Sequence, residues 1–251
     1  MREFDGYVKN GNLPNFEILC VMMDHFGNFS SNVAHLDNPW SQFASNDYAI
    51  GRLVETVSKS PYWKDTAIFI IEDDAQDGPD HVDAHRSIAY VLSAYTKRGA
   101  VVSTNYNTTS MVRTMEDILG VNYLGLNDAN ARPMSAVFTT TPDLKPYTAI
   151  IPGILCKPPV DPTLVPECNN TDGREVTAAV KPLHDGVWWA KATQGFNFKR
   201  PDLNNPDLFN RVLWKGIMGD NKPYPGAGSL QASSASHQVS AAAVKSLAKR
   251  D

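Results

Sequence analysis

Fifteen consecutive residues hold most of the chemistry this chain can do. Glu72-Asp73-Asp74-Ala75-Gln76-Asp77-Gly78-Pro79-Asp80-His81-Val82-Asp83-Ala84-His85-Arg86 contains six acids, two histidines and one arginine. The stretch follows Ala67-Ile68-Phe69-Ile70-Ile71, an uninterrupted apolar run of the kind that forms a buried strand. Carboxylates at the end of a buried strand are poorly hydrated and repel one another, and a divalent metal ion is the usual counter-charge. Asp73 and Asp74 sit where the chain leaves strand alternation, so both can turn toward one ion; the alternative is an acidic loop solvated by water. His81 and His85 are four residues apart, the spacing of a zinc pair on a helix, but Gly78-Pro79 argues for a loop. Each is read as a metal ligand, as a donor to a phosphate oxygen, or as an imidazole held by Asp80 or Asp83. Arg86 either grips phosphate oxygens bidentately or neutralises the acids around it.

Three elements must position these groups. Phe16-Glu17-Ile18-Leu19-Cys20-Val21-Met22-Met23 is an apolar run that predicts a first strand, ending on Asp24-His25. A helix follows, capped by Ser45, Asn46 or Asp47, with Ile50, Leu53, Val54 and Val57 on one apolar face. Ser58-Lys59-Ser60-Pro61 stops it, and the strand at 67–71 comes next. Strand, helix and strand in this order predict a βαβ crossover with parallel strands. Both strands then end on one sheet edge, where open α/β sheets bind ligands, and His25 joins the acidic stretch as a candidate ligand. The fold class expected is α/β, a mostly parallel sheet with helices on both faces.

The rest of the chain reads as support. Residues 1–13 predict an irregular entry, and 26–44 a long loop. Ile88-Ala89-Tyr90-Val91-Leu92 predicts a strand, followed by a turn at 95–99. A helix over about 110–119 is capped by Thr108 or Thr109, shows Met111, Met115, Ile118 and Leu119 on one face, and is closed by Gly120. Residues 121–165 are loop-rich. Short helical pieces are expected at 188–192 and 207–219, the second docking back on the core. Residues 1–225 are expected to form one domain, and the Ser/Ala/Gln-rich residues 226–251 a disordered tail. Cys20 lies in an apolar run and predicts a buried thiol. Cys156 and Cys168 flank a Pro-rich loop and are read as a disulfide or as two thiols.

Composition narrows the partners. A net charge of -4 provides no basic field, so nucleic acid is not an expected partner. No apolar run has the length of a membrane span. The first residues lack the apolar centre of a signal peptide, so either an intracellular protein or a start downstream of the true N-terminus is expected. The chain has no G-x-S-x-G elbow, P-loop or G-x-G-x-x-G. Serines and threonines in 26–45 and 103–110 are nucleophile candidates by location alone, and the catalytic nucleophile stays unassigned.

Asp73-Asp74-Ala75-Gln76-Asp77-Gly78-Pro79-Asp80-His81-Val82 resembles the acidic motif of the phosphoesterase family in the alkaline phosphatase superfamily. That family includes phospholipases C of the non-haemolytic type and acid phosphatases. Similarity to a bacterial subgroup often fused to a β-propeller runs through Leu13-Pro14-Asn15-Phe16, Asp24-His25, Ser45-Asn46-Asp47-Tyr48-Ala49-Ile50-Gly51, Tyr62-Trp63-Lys64-Asp65 and Tyr95-Thr96-Lys97-Arg98-Gly99. The resemblance implies hydrolysis of a phosphate ester with one or two divalent metal ions (Zn, Mn, Ca or Mg). It implies Asp73 and Asp74 as metal ligands, His81 as ligand or phosphate contact, and His25 and His85 in the same shell. It also implies an alkaline-phosphatase-like fold, periplasmic or secreted relatives, and a chain that is the carboxyl-terminal part of the domain: nothing before Phe16 matches the family's nucleophile segment, so the nucleophile and at least one metal ligand are expected to be missing and this fragment to be inactive or to need that segment from elsewhere. Two other functions are carried beside it: a non-catalytic metal-binding module, and a metal-dependent hydrolase of non-phosphate esters.

Overall fold

The computed structural model describes residues 2–23, 25–29, 36–72, 87–157, 160, 165–169, 172–200 and 203–225. The elements are α1 (Arg2–Asn10), α2 (Pro39–Ser58), β1 (Ala67–Ile71), β2 (Ala89–Ser93), α3 (Thr108–Leu119), α4 (Gly186–Ala192) and α5 (Pro206–Met218), with short 3-10 turns between them. Helices and strands are thus mixed, as an α/β protein requires.

The long helix α2 is the hub. It begins at Asn38, whose side chain accepts from the Ser41 N–H while Ser41 Oγ accepts from the Asn38 N–H; Pro39 occupies the first turn. The cap expected at 45–47 is therefore about two turns or more too late. The Gly, Asn and Pro content of 26–44 hides a helix start that is itself built from Asn and Pro. Leu53 and Val57 of α2 pack with Phe4 and Val8 of α1, Trp63 and Ala94. Tyr48 packs with Leu36, Ala149, Ile151, Leu155, Val160 and Val165. Trp40 joins an aromatic cluster around Phe29, Trp189 and Phe209. Three clusters thus share one helix.

Residues 2–10 are a helix, against the expected irregular entry. Phe4 and Val8 stand one turn apart and are buried on α2, with Glu3 and Asp5 in the first turn and Lys9 in the last. Burial of that short face outweighs the propensity cost of Gly6.

The sheet of the described residues is one antiparallel pair, with Ala67 opposite Ser93 and Ile71 opposite Ala89. The residues joining them lack the apolar periodicity of a crossover helix, so the chain reverses rather than crossing over. The strand expected at 16–23 does not form, and the parallel crossover from it to 67–71 falls with it. Ile18 is 85% and Met22 76% exposed, and the carbonyls of Val21 and Met22 accept from the Asn46 side chain instead of a ladder. An apolar run predicts a strand only if a neighbour pairs with it. Cys20, expected buried, is exposed for the same reason.

The other helices lie close to expectation. Asn107, not Thr108 or Thr109, caps α3 through a box with Ser110, and Gly120 closes it in the left-handed region at φ 65. Its buried side carries Met111 and Thr114, while Ile118 and Leu119 are exposed. Helix α5 ends at Met218 and buries Phe209 on the aromatic cluster. Cys156 and Cys168 form a disulfide. The tail at 226–251 lies outside the described residues.

Candidate functional site

Strand β1 delivers the acidic stretch. The ladder extends by one bond past its end, the Glu72 N–H donating to Ile88 O at 3.0 Å. Ser87 Oγ donates to Glu72 O at 2.5 Å. Glu72 and Ser87 are therefore tied side by side. Asp73, Asp74, His81, His85 and Arg86 lie outside the described residues, as does Asp24. The sequence reading placed the stretch at the open edge of a parallel sheet. The structure instead makes it the connection between two antiparallel strands.

His25 is described and half-buried. Its segment, 21–29, lies along the polar side of α2. Asn46 Nδ2 donates to Val21 O at 3.3 Å and to Met22 O at 3.0 Å. Gln42, wholly buried, donates from Nε2 to Gly27 O at 2.8 Å and to Leu36 O at 3.0 Å, and its Oε1 accepts from the Gly27 N–H at 3.1 Å. Phe26 meets Phe43 at a ring separation of 6.0 Å, and Phe29 meets Trp189 at 5.0 Å. The sequence reading treated Asn46 only as a possible cap and passed over Gln42. Their spacing of four on one helix was the available signal.

Beside this segment, Trp40, Phe43, Ala44 and Asp47 of α2 face Pro152–Ile154 and Thr177–Val180 across a cleft of about 260 Å³. Asp47 is exposed and lines that cleft; it caps no helix. His184 stacks on Trp188 at 3.9 Å with rings 10° apart, a packing contact.

Among the described residues, the strongest electrostatics lie on the far half of α2. Glu55, 6% exposed, receives Arg174, Lys59 and the Ala149 N–H. Burial alone would raise its carboxyl, but these donors outweigh it and hold the group at about 2. The Glu55 carboxylate in turn holds Arg174 above the usual arginine value, against the opposing effect of burial. Arg52 pairs with Glu167, next to Cys168 of the disulfide. This network ties 149–174 onto α2; it holds the frame and is not chemistry at the candidate site.

Among the described residues no three His, Cys, Asp or Glu side chains converge closely enough to hold a metal ion. The candidate donors as a set, two carboxylates and three imidazoles, have the oxygen and nitrogen chemistry that suits a divalent ion of the zinc or manganese type. Glu72 and Ser87, tied to each other, flank in sequence the fourteen residues that carry four of those donors.

The model of the Phosphoesterase family matches residues 1–122, from α1 through α3, and this part of the chain is similar to that family. No curated protein and no solved structure matches the chain. No helix among the described residues is long and apolar enough to cross a membrane.

Proposed function

We propose that the protein is a metal-dependent phosphoesterase that hydrolyses phosphomonoesters or phosphodiesters. The family match supports this most directly, because residues 1–122 include both His25 and the whole acidic stretch. In this reading Asp73 and Asp74 hold a divalent ion, zinc, manganese, calcium or magnesium. His81, His85 and His25 complete its shell or meet the phosphate. The ion supplies charge stabilisation to the transferring phosphoryl group and lowers the pKa of an attacking oxygen. The chain's own residues do the positioning. Two adjacent carboxylates leaving β1 are a concentrated anionic site, and the Arg86 guanidinium orients phosphate oxygens bidentately.

The same reading carries an alkaline-phosphatase-like α/β architecture, a mostly parallel sheet with helices on both faces, which the antiparallel β1–β2 pair would join at its edge. The Cys156–Cys168 bond is at home in an oxidising compartment, and we place the protein in a periplasm or outside the cell.

The test pairs calorimetry with turnover. Zn²⁺, Mn²⁺, Ca²⁺ and Mg²⁺ are titrated into the wild type and into the variant carrying Asp73→Asn and Asp74→Asn. The same samples are assayed on p-nitrophenyl phosphate and bis(p-nitrophenyl) phosphate. Ion uptake and ion-dependent turnover in the wild type, both lost in the variant, are the expected result. Unchanged uptake in the variant would sink the metal site. Uptake without turnover of either ester would leave a metal-binding module that does no catalysis.

A further inference from the structure

The backbone on both sides of His25 is held by side chains that a helix would not need for its own packing. Gln42 has no exposed surface, and its amide is committed to Gly27 and Leu36 through three hydrogen bonds of 2.8–3.1 Å. A buried amide is tolerated only when satisfied, and an apolar residue of similar volume would fill the same space at no such risk. Asn46, one turn on, uses its Nδ2 on Val21 O and Met22 O. The segment needs holding. Met23 at φ 66 and Asn28 at φ 53 are left-handed without being glycine, a strained conformation for Met23 above all. Gly27, at φ 152, lies so close to Phe198 that a Cβ would sit 2.3 Å from its Cδ1. A strained conformation persists when its surroundings over-determine it, and these are the surroundings. The anchors at 21, 22, 26, 27 and 29 bracket His25.

We propose that Gln42 and Asn46 are positioning residues: α2 fixes the backbone at residues 21, 22 and 27, on either side of His25, through these two amides so that the His25 imidazole is presented in one orientation. The functional importance of that orientation rests on the reading of His25 as part of the phosphoesterase site; the geometric claim does not.

The experiment separates the two. Zn²⁺, added as its chloride, is titrated into the wild type, His25→Ala, Gln42→Leu, Asn46→Ala, and the last two substitutions combined with His25→Ala. In parallel, the His25 ring is followed by ¹H–¹³C NMR in the metal-free protein, its signal assigned by its absence in His25→Ala. Gln42→Leu and Asn46→Ala are each expected to move the His25 ring signal and to weaken Zn²⁺ binding roughly tenfold. In the His25→Ala background neither is expected to weaken it further, because both act through that ring. A ring signal that stays put in both variants overturns the positioning claim. So does a loss of affinity that simply adds to that of His25→Ala. If His25→Ala itself leaves Zn²⁺ affinity unchanged, the placement of His25 in the metal shell falls, and the ring signal alone decides the geometric claim. Should Gln42→Leu fail to fold, Asn46→Ala, at a half-buried position with only two hydrogen bonds, carries the same comparison.

Discussion

Arg174 lies against the buried carboxylate of Glu55, 119 residues away in sequence, and joins the loop-rich 149–177 segment to α2. The guanidinium also meets Ala149 O at 3.2 Å and Asp172 at 3.1 Å, so the pair is one end of a network. Removing one partner of a buried pair strands the other. Arg174→Met is therefore expected to cost about 3 kcal/mol, read as a fall in the urea midpoint. The double variant Glu55→Gln with Arg174→Met should lose less than the sum of the single losses. A loss of under about 0.5 kcal/mol would class the pair with solvated surface ion pairs.

The same carboxylate sets an acid limb. Glu55 titrates at about 2 in the folded chain against an ordinary value of 4.5. Burial pushes it up, and Arg174, Lys59 and the Ala149 N–H push it further down. A depressed carboxyl contributes stability that is fully present above the unfolded value and is lost as pH falls through the folded one. The contribution, on the order of 3 kcal/mol, should therefore disappear between about pH 4.5 and 2. Unfolding midpoints measured down that range should fall less steeply in Glu55→Gln than in the wild type. Parallel slopes would refute the assignment.

Local rules were legible in the sequence, and pairings were not. Strands 67–71 and 89–93 announce themselves as short apolar runs, and α3 and α5 end at glycines that close them. The run at 16–23 has the same composition as a strand and is not one, because pairing depends on which neighbour is present. The Arg174–Glu55 pair was invisible for a similar reason: nothing local in either residue's surroundings points 119 positions away. Of the candidate site, the acidic stretch was plain from its chemistry. The amides that hold the His25 segment were not, since a glutamine and an asparagine on a helix look like solvent-facing residues until a backbone is laid across them.

The Cys156–Cys168 bond closes a loop of sequence separation 12. Val160 and Val165 inside that loop pack with Leu36 and Tyr48, and Glu167 beside Cys168 pairs with Arg52. Cross-linking a loop of this size stabilises by about 3 kcal/mol. Reduction with a phosphine should lower the thermal midpoint of the wild type, and the variant with Cys156→Ser and Cys168→Ser should already sit at the lower value and not respond. Equal midpoints for oxidised and reduced wild type would show that the core contacts of Val160 and Val165 hold the loop unaided.

Two helical glycines make opposite predictions from one substitution. At Gly216 in α5, a Cβ would lie 2.1 Å from Trp189 Cη2 and 2.9 Å from Trp188 Cζ3. Trp189 is 0% exposed and is flanked by Phe29 at 5.0 Å and Trp40 at 6.4 Å, so its ring has nowhere to go. Gly216→Ala gains up to about 1 kcal/mol of helix propensity and loses about 1–3 kcal/mol or more to overpacking. A net destabilisation of about 2 kcal/mol is expected, with a changed tryptophan emission because the cluster must part. At Gly6 in α1 a Cβ meets nothing within 4 Å. Gly6→Ala keeps the propensity gain and should stabilise by about 0.5–1 kcal/mol. If both substitutions shift the denaturation midpoint the same way, close approach of α5 to Trp189 is not what keeps residue 216 a glycine.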